Sequence, residues 1–276
     1  MKTTKRILSF ILALVMLLST AAVAAFAEQS KNYLVLGDSI GFGSGLKNPQ
    51  EACFGKIVAD SNGYNYKNDA VPGQTSKRLL QKISEPGVKA DIEEADIISI
   101  SIGGNNFLLD NIPKLVLEVS LFKRYDTVNK ILDNFKSDFR VIIKTIKSYN
   151  PDVLIVVQTL YNSMPGALHD VFGGVIEKLN DVYKTCLDDM PGAYIIADVA
   201  AAFPADPELV AFDFIHPSAK GNKVIAQVIL DTLRENGRPS ADVIVLNAEG
   251  EDTGTKVIRA FFISACKFLN MLHKVK

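Results

Sequence analysis

Leu34-Val35-Leu36-Gly37-Asp38-Ser39-Ile40-Gly41-Phe42-Gly43-Ser44-Gly45 sets the reading of this 276-residue chain. An apolar run of strand length stops at a glycine, presents an acid and a serine, and breaks into alternating glycines. That is the pattern of a strand followed by a tight turn. Ser39 is therefore expected at the carboxyl end of a strand, where open α/β sheets place their ligands. A serine hydroxyl becomes a useful nucleophile only when a base takes its proton and nearby donors receive the charge that develops on the attacked carbonyl. Glycine after an apolar strand is ordinary loop chemistry by itself, so the rest of the chain has to supply base and donors.

Downstream of this stretch, strands alternate with helices, the order that builds a parallel sheet covered on both faces. Tyr33 to Leu36 reads as the first strand. A helix over 51–61 leads to a short, more polar strand over 64–68 and then to the turn Ala70-Val71-Pro72-Gly73-Gln74-Thr75, after which Thr75 or Ser76 caps a helix carrying Leu79, Leu80 and Ile83. Asp96-Ile97-Ile98-Ser99-Ile100-Ser101-Ile102 is a buried strand by its β-branched content, and it ends at Gly103-Gly104-Asn105-Asn106. Two helices follow, broken near 123–126; in the second, Ile131, Phe135, Phe139, Ile142, Ile143 and Ile146 stand at helical spacing as core. Val153 to Val157 is the fourth strand. The stretch 161–174, rich in Gly, Pro, Ser and Asn, reads as a loop of the kind that shapes a substrate pocket, with His169 as a solvated surface residue. A helix to Met190 and a strand over 194–197 complete the alternation. The expected fold is a three-layer α/β/α sandwich with a mainly parallel five-stranded sheet, flavodoxin-like in type.

The second polar cluster is Asp213-Phe214-Ile215-His216-Pro217. A neutral imidazole presents a basic nitrogen to a serine when an acceptor holds its other nitrogen, and an aspartate three residues earlier on a tight loop is placed to do that. Pro217 suits the first turn of the next helix, which carries Val224, Ile225, Val228 and Ile229 towards Gly237. Asp-x-x-His alone also describes a capped helix start beside an idle histidine. Its weight comes from Ser39 and the two glycine-rich turns.

With these residues in view, the chain resembles the SGNH hydrolases, also called GDSL-type esterases and lipases. Gly37-Asp38-Ser39 resembles the family's nucleophile block, Pro72-Gly73-Gln74 with Thr75 and Ser76 its glycine block, Gly104-Asn105 its asparagine block, and Asp213-Phe214-Ile215-His216-Pro217 its acid and base block. The resemblance implies Ser39 as nucleophile, His216 as general base and Asp213 as its orienting acid. It implies an oxyanion hole formed by the Ser39 and Gly73 amides with the Asn105 side chain, and a reaction that uses no metal or other cofactor. Substrates would be small-molecule, lipid or glycan esters, cleaved through an acyl-enzyme. One departure stands out: the family usually writes Gly-Asn-Asp in the asparagine block, and Asn106 takes the third place here. Two rival classes remain. Gly37-Asp38-Ser39-Ile40-Gly41 also satisfies the G-x-S-x-G elbow of α/β-hydrolases, although a nucleophile on the first strand and an acid beside the histidine argue against that fold. A non-catalytic carbohydrate- or lipid-binding relic would be expected to have lost one of these groups, and none is lost.

The ends of the chain read differently. Lys2, Lys5 and Arg6 precede an apolar run from Ile7 to Leu18 and a small-residue ending at Ala25-Phe26-Ala27, the order of a secretory signal peptide cleaved after Ala27. The expected organisation is signal peptide over 1–27, hydrolase domain over 28–237 and an extension over 238–276. Export from the cytoplasm follows. In the extension, 242–246 reads as a strand and 257–272 as an amphipathic helix with Ile258, Phe261, Phe262, Phe268, Leu269 and Leu272 on its apolar side. That helix either packs on the domain or meets a membrane surface. A formal net charge of -1 and the lack of a basic stripe argue against a nucleic-acid partner. Cys53, Cys186 and Cys266 are too few and too scattered for a disulfide scaffold, and no metal-binding spacing occurs.

Overall fold

Five parallel strands carry the fold in the computed structural model of the chain, which describes residues 30–108, 118–119, 122, 124–164, 167–204, 206–242 and 244. β1 (Asn32–Gly37), β2 (Asn65–Asn68), β3 (Ile97–Ser101), β4 (Leu154–Gln158) and β5 (Ile195–Ala197) lie in the order β2-β1-β3-β4-β5. Every neighbouring pair is parallel. β3 is buried along its whole length because helices cover both of its faces, which explains its Ile-rich run without alternation. β2 stands at the edge and alternates exposed with half-buried residues, as its polar sequence requires.

The described helices are α1 (Ser39–Phe42), α2 (Pro49–Ala52), α3 (Phe54–Asn62), α4 (Ser76–Lys82), α5 (Pro86–Glu94), α6 (Asn105–Leu108), α7 (Asp126–Tyr149), α8 (Ala167–Asp189), α9 (Val199–Ala202) and α10 (Ala219–Glu235). Strand side chains alternate between two cores. Leu34, Leu36, Ile98, Ile100, Ile155 and Val157 face α4, α5, α7 and α8, meeting Leu79, Ile92, Phe135, Phe139, Leu179 and Tyr183. Tyr33, Val35, Ile97 and Val156 face α3 and α10, meeting Phe54, Val58, Ile225, Ile229 and Leu233. The apolar stripe of α7 is buried from Val128 to Ile146, and Phe139 makes edge contacts with Tyr183 and Tyr194 at ring-centroid distances of 5.3 and 5.6 Å.

The α/β/α sandwich expected from the sequence is thus present, with a sheet that is wholly parallel. Three local readings change. The helix expected over 51–61 is two pieces, because Pro49 starts a short turn and Cys53, in extended conformation, starts α3 afresh. α5 was not foreseen; Pro86 occupies its first turn, where proline is tolerated. The loop expected over 161–174 gives way to α8 at Ala167. Gly173 and Gly174 lie inside that helix, where the missing side chain admits the Tyr125 hydroxyl, 3.1 Å from where a Cβ on Gly174 would stand. Cys53 and Cys186 are free and buried. The expected signal peptide, the helix over 257–272, Cys266 and most of the strand over 242–246 lie outside the described residues. Among the described residues, no helix is long and apolar enough to cross a membrane.

Candidate active site

The connections leaving β1 and β3, neighbours in the sheet, run to opposite faces, and a crevice opens between them at the carboxyl edge. Gly37 ends β1 at φ 121°, and a Cβ there would stand 1.9 Å from the Ser101 carbonyl oxygen, so only glycine lets the two strand ends approach so closely. The chain then turns sharply. The Asp38 amide donates to the Ser101 carbonyl at 2.8 Å, and Asp38 Oδ1 accepts from the Ile40 amide at 3.0 Å, capping α1 with Ser39 as its first residue.

The residues expected as acid and base come from the loop before α10. An antiparallel bridge between Val210 and Pro217, together with the Ala211 amide donating to the His216 carbonyl at 2.7 Å, closes the loop into a tight reversal, with Phe214 at φ 61°. Within it, Asp213 Oδ1 accepts from the Ile215 and His216 amides at 3.0 Å each, while Oδ2 meets His216 Nδ1 at 2.5 Å. Burial works to raise the Asp213 carboxyl, but the hydrogen bonds from the His216 ring and the two amides outweigh it and hold the group below its ordinary value. Asp213 therefore stays ionised and fixes the imidazole with Nδ1 engaged. Two anchors hold the loop. The Tyr161 hydroxyl donates to the Ile215 carbonyl at 2.7 Å. Asn222, fully buried, donates to the Pro217 and Ser218 carbonyls and accepts from the Phe54 amide. On the nucleophile side, a Cβ on Gly45 would come within 3.0 Å of His216 Cβ, so the glycine-rich loop after Ser39 lies directly against the histidine.

The glycine turn is hung from β1 by the Val71 amide, which donates to the Gly37 carbonyl at 2.8 Å, and Gly73 takes φ 76° within it. Thr75, one of the two caps expected, accepts from the Arg78 amide and starts α4. Asn105 and Asn106, read from the sequence as the end of the third strand, are the first two residues of α6 and part company there. The Asn105 Nδ2 donates one hydrogen to the Gln74 carbonyl at 3.2 Å, which orients the amide towards the crevice. Asn106 faces α4: its Oδ1 accepts from the Ser76 amide at 3.1 Å and its Nδ2 donates to Ser76 Oγ at 2.8 Å. Ser76 Oγ in turn donates to Asp138 Oδ2 at 2.7 Å, so α7 brings a carboxylate to the network that Asn106 itself lacks.

A cavity of about 670 Å³, counting its open mouth, joins these parts. Asp38, Ser39, Gly104, Asn105, Tyr161 and Ser163 bring polar groups to its lining, and Ile40, Phe107, Leu160, Met164, Phe172, Val175, Ile176, Leu179 and Ile215 make the apolar remainder. Gly73, Asp213 and His216 are not lining residues themselves: Asp213 and His216 adjoin the cavity through Ile215, and Gly73 is tied to it through the bond between its neighbour Gln74 and Asn105. Of the expected site residues, then, Ser39 and Asn105 share the cavity wall, Asp213 and His216 form a hydrogen-bonded pair beside it, and Gly73 stands on the turn that orients Asn105. The sequence reading gave the pocket wall to 161–174, and Tyr161, Ser163, Met164 and Phe172 of that stretch do line the cavity; it passed over Asn222, Ser101 and the continuation of the wall along α8. The apolar spacing of Phe172, Val175, Ile176 and Leu179 was the available signal for that wall, masked by Gly173 and Gly174.

Residues 35–224 match the family model described as GDSL-like lipase/acylhydrolase. The uncharacterized protein YpmR of Bacillus subtilis (strain 168) is 24% identical over 229 residues, which covers 78% of this chain and 87% of that one. Among solved structures, the lipase Lip_vut3 from a goat rumen metagenome superposes with TM-score 0.59 at 19% identity, over 74% of this chain and 97% of that one. A catalytic mutant of Axe2, an acetylxylan esterase from Geobacillus stearothermophilus, superposes with TM-score 0.55 at 20% identity, over 74% of this chain and 94% of that one. At these identities the two structures share the fold with this chain.

Proposed function

The chain belongs to the GDSL-like lipase/acylhydrolase family, and on that premise we propose that it hydrolyses carboxylic esters with Ser39 as nucleophile, His216 as general base and Asp213 as the acid that orients it. The observation that carries the reading is the Asp213–His216 pair, bonded at 2.5 Å on a loop packed against the turn that presents Ser39 to the cavity.

In this mechanism, Asp213 holds the proton on His216 Nδ1, which leaves Nε2 to take the Ser39 proton as Oγ attacks the ester carbonyl. The Ser39 and Gly73 amides and Asn105 Nδ2 receive the charge on the tetrahedral oxygen. Collapse returns the proton to the leaving alcohol, and water repeats the sequence to free the acid. The largely apolar wall suits the acyl limb of the ester, which loses water on entry, while the alcohol leaves through the mouth. That favours esters of longer acyl chains over acetylated glycans as substrates.

The test pairs p-nitrophenyl esters of graded acyl length with a fluorophosphonate probe. Hydrolysis lost in Ser39→Ala and a phosphonyl adduct on Ser39 by peptide mass mapping are expected. Turnover that survives Ser39→Ala, or an adduct elsewhere, would overturn the assignment. Two readings concern the ends of the chain. The basic, apolar and small-residue order of residues 1–27 supports export with cleavage after Ala27, which amino-terminal sequencing of protein from culture medium checks. The apolar stripe over 257–272 calls for an apolar partner, which we read as the domain itself, with a membrane surface as the alternative.

A further inference from the structure

Asp38 is the acid set against the nucleophile, and the proposed triad gives it no task. It is 2% exposed. Its Oδ1 accepts from the Ile40 amide at 3.0 Å and from the Ser101 hydroxyl at 3.1 Å, so the carboxylate is fixed from two elements, the Ser39 turn and the end of β3. A neutral asparagine would cap the turn as well as an aspartate does. What aspartate adds is a charge, and burying one is costly unless something uses it.

Asp38 and Ile215, the residue before His216, line one cavity, and Gly45 of the loop that follows Ser39 lies against His216, so the geometry brings the Asp38 turn and the His216 loop together. The other titratable groups that feel the Asp38 charge are Tyr161 beyond β4 and Tyr183 on α8, with Asp213 bonded to His216. Burial above all, and then the Asp38 charge, push both tyrosines well above their ordinary value, so they stay neutral at working pH. Only His216 in this group gains positive charge during the reaction. Burial raises the Asp38 carboxyl to about 6, against the hydrogen bonds from Ile40 and Ser101 and the attraction of His216, all of which draw it down.

We propose that Asp38 is a positioning residue whose carboxylate, held by the Ile40 amide and the Ser101 hydroxyl, provides a second negative charge for the His216 imidazolium that forms as Ser39 attacks. This rests on the roles given to Ser39 and His216 above. Asp213 grips the ring through Nδ1, and Asp38 acts on the same imidazolium from the nucleophile side. No atom is transferred to or from Asp38 in the cycle; it needs only to be ionised.

Asp38→Asn keeps an acceptor for Ile40 and Ser101 and removes the charge, whereas Asp38→Ala removes both. On a soluble short-chain ester, Asp38→Asn is expected to lower kcat about tenfold with KM nearly unchanged, as for an interaction made chiefly in the transition state. The wild-type kcat/KM profile should contain a fall of similar size near pH 6, and Asp38→Asn should lose that step. Wild-type behaviour in Asp38→Asn would show that only the cap matters and would overturn the proposal. An equal loss at every pH, with the step retained, would do the same. A second measurement needs no turnover: the Asp38 carboxyl is followed by 13C NMR titration in the wild type and in His216→Gln. Its midpoint should rise when the His216 charge is removed, by the reciprocity of coupled sites. An unchanged midpoint would overturn the proposal. A protein that cleaves no ester would defeat the esterase reading instead, and the NMR titration would still decide the coupling.

Discussion

Two neighbouring asparagines do different work because they sit on the first turn of α6, beyond the end of β3, where successive side chains point about 100° apart around the helix axis. Asn105 Nδ2 lines the cavity with one hydrogen tied to the Gln74 carbonyl, and Asn106 is spent on Ser76. Loss of one fixed oxyanion donor typically costs on the order of 100- to 1000-fold in turnover. Asn105→Ala should therefore lower kcat by about that factor, while Asn106→Ala should act mainly on stability, by about 1–3 kcal/mol for the buried partners it strands. Kinetics and urea unfolding of the two variants separate the effects, and a larger kcat loss at Asn106 would exchange their roles. Asp38 gives the second expectation at this scale. Its folded value of about 6 lies above its ordinary 3.8, so the folded chain binds this proton more tightly than the unfolded chain does. The stability linked to that proton is complete below the ordinary value and is lost as pH rises through the folded one. Asp38→Asn should thus gain on the wild type by up to about 3 kcal/mol at pH 8 and lose most of that advantage near pH 4. Urea unfolding at the two pH values checks the sign; an advantage greater at pH 4 would refute it.

The loop before α10 works only as part of the elements that clamp it. Asn222 binds the first turn of α10 to the start of α3 through three hydrogen bonds, to the Phe54 amide at 2.9 Å and to the Pro217 and Ser218 carbonyls at 3.2 and 3.0 Å. Ser218 adds a fourth tie from its hydroxyl to the Glu208 carbonyl at 2.6 Å. Asn222→Ala leaves buried backbone groups unpaired and should destabilise the protein by about 1–3 kcal/mol. It should also lower kcat on any accepted ester, because the His216 ring is positioned by the same loop. Unfolding and kinetics measured together test this, and full activity with lowered stability would show that the His216 loop holds its shape without Asn222.

At the scale of the whole molecule, the chain beyond α10 returns to the end of α3. The Tyr64 hydroxyl donates to the Pro239 carbonyl at 3.1 Å, the Ala241 amide donates to Asn62 Oδ1 at 2.7 Å, and Ile244 packs against the core shared with α3. A chain ended after Gly237 should accordingly be less stable than one ended after Ile244 by about 1–3 kcal/mol, through the lost hydrogen bonds of Pro239 and Ala241, the latter also accepting from Arg234, and one part-buried isoleucine. Comparing the chain ended after Ile244 with the full chain then tests the residues that follow: lower stability supports packing on the domain, and unchanged stability with reduced binding to phospholipid vesicles supports membrane contact.

Read alone, the sequence determined whatever depends on near neighbours. The strand ending at Gly37, the turn that presents Ser39, the Thr75 cap and the Asp213–His216 pair are set within a few residues by backbone sterics and short-range hydrogen bonds, and each is legible as spacing. The alternation of strand and helix was legible for the same reason, since burial on both faces writes itself into the Ile-rich run of β3. Only the tertiary structure decided the strand order, and with it the crevice between β1 and β3 where Ser39 and Asn105 meet. It also decided that Asn106 reaches the Asp138 carboxylate through Ser76, that Gly173 and Gly174 belong to a helix lining the cavity, and that the Asp38 carboxylate lies buried between the Ser39 turn and the end of β3. These partners are far apart in the chain. Their meeting depends on how whole faces bury against one another, and the energy that selects it is summed over the core, with no local pattern to carry it.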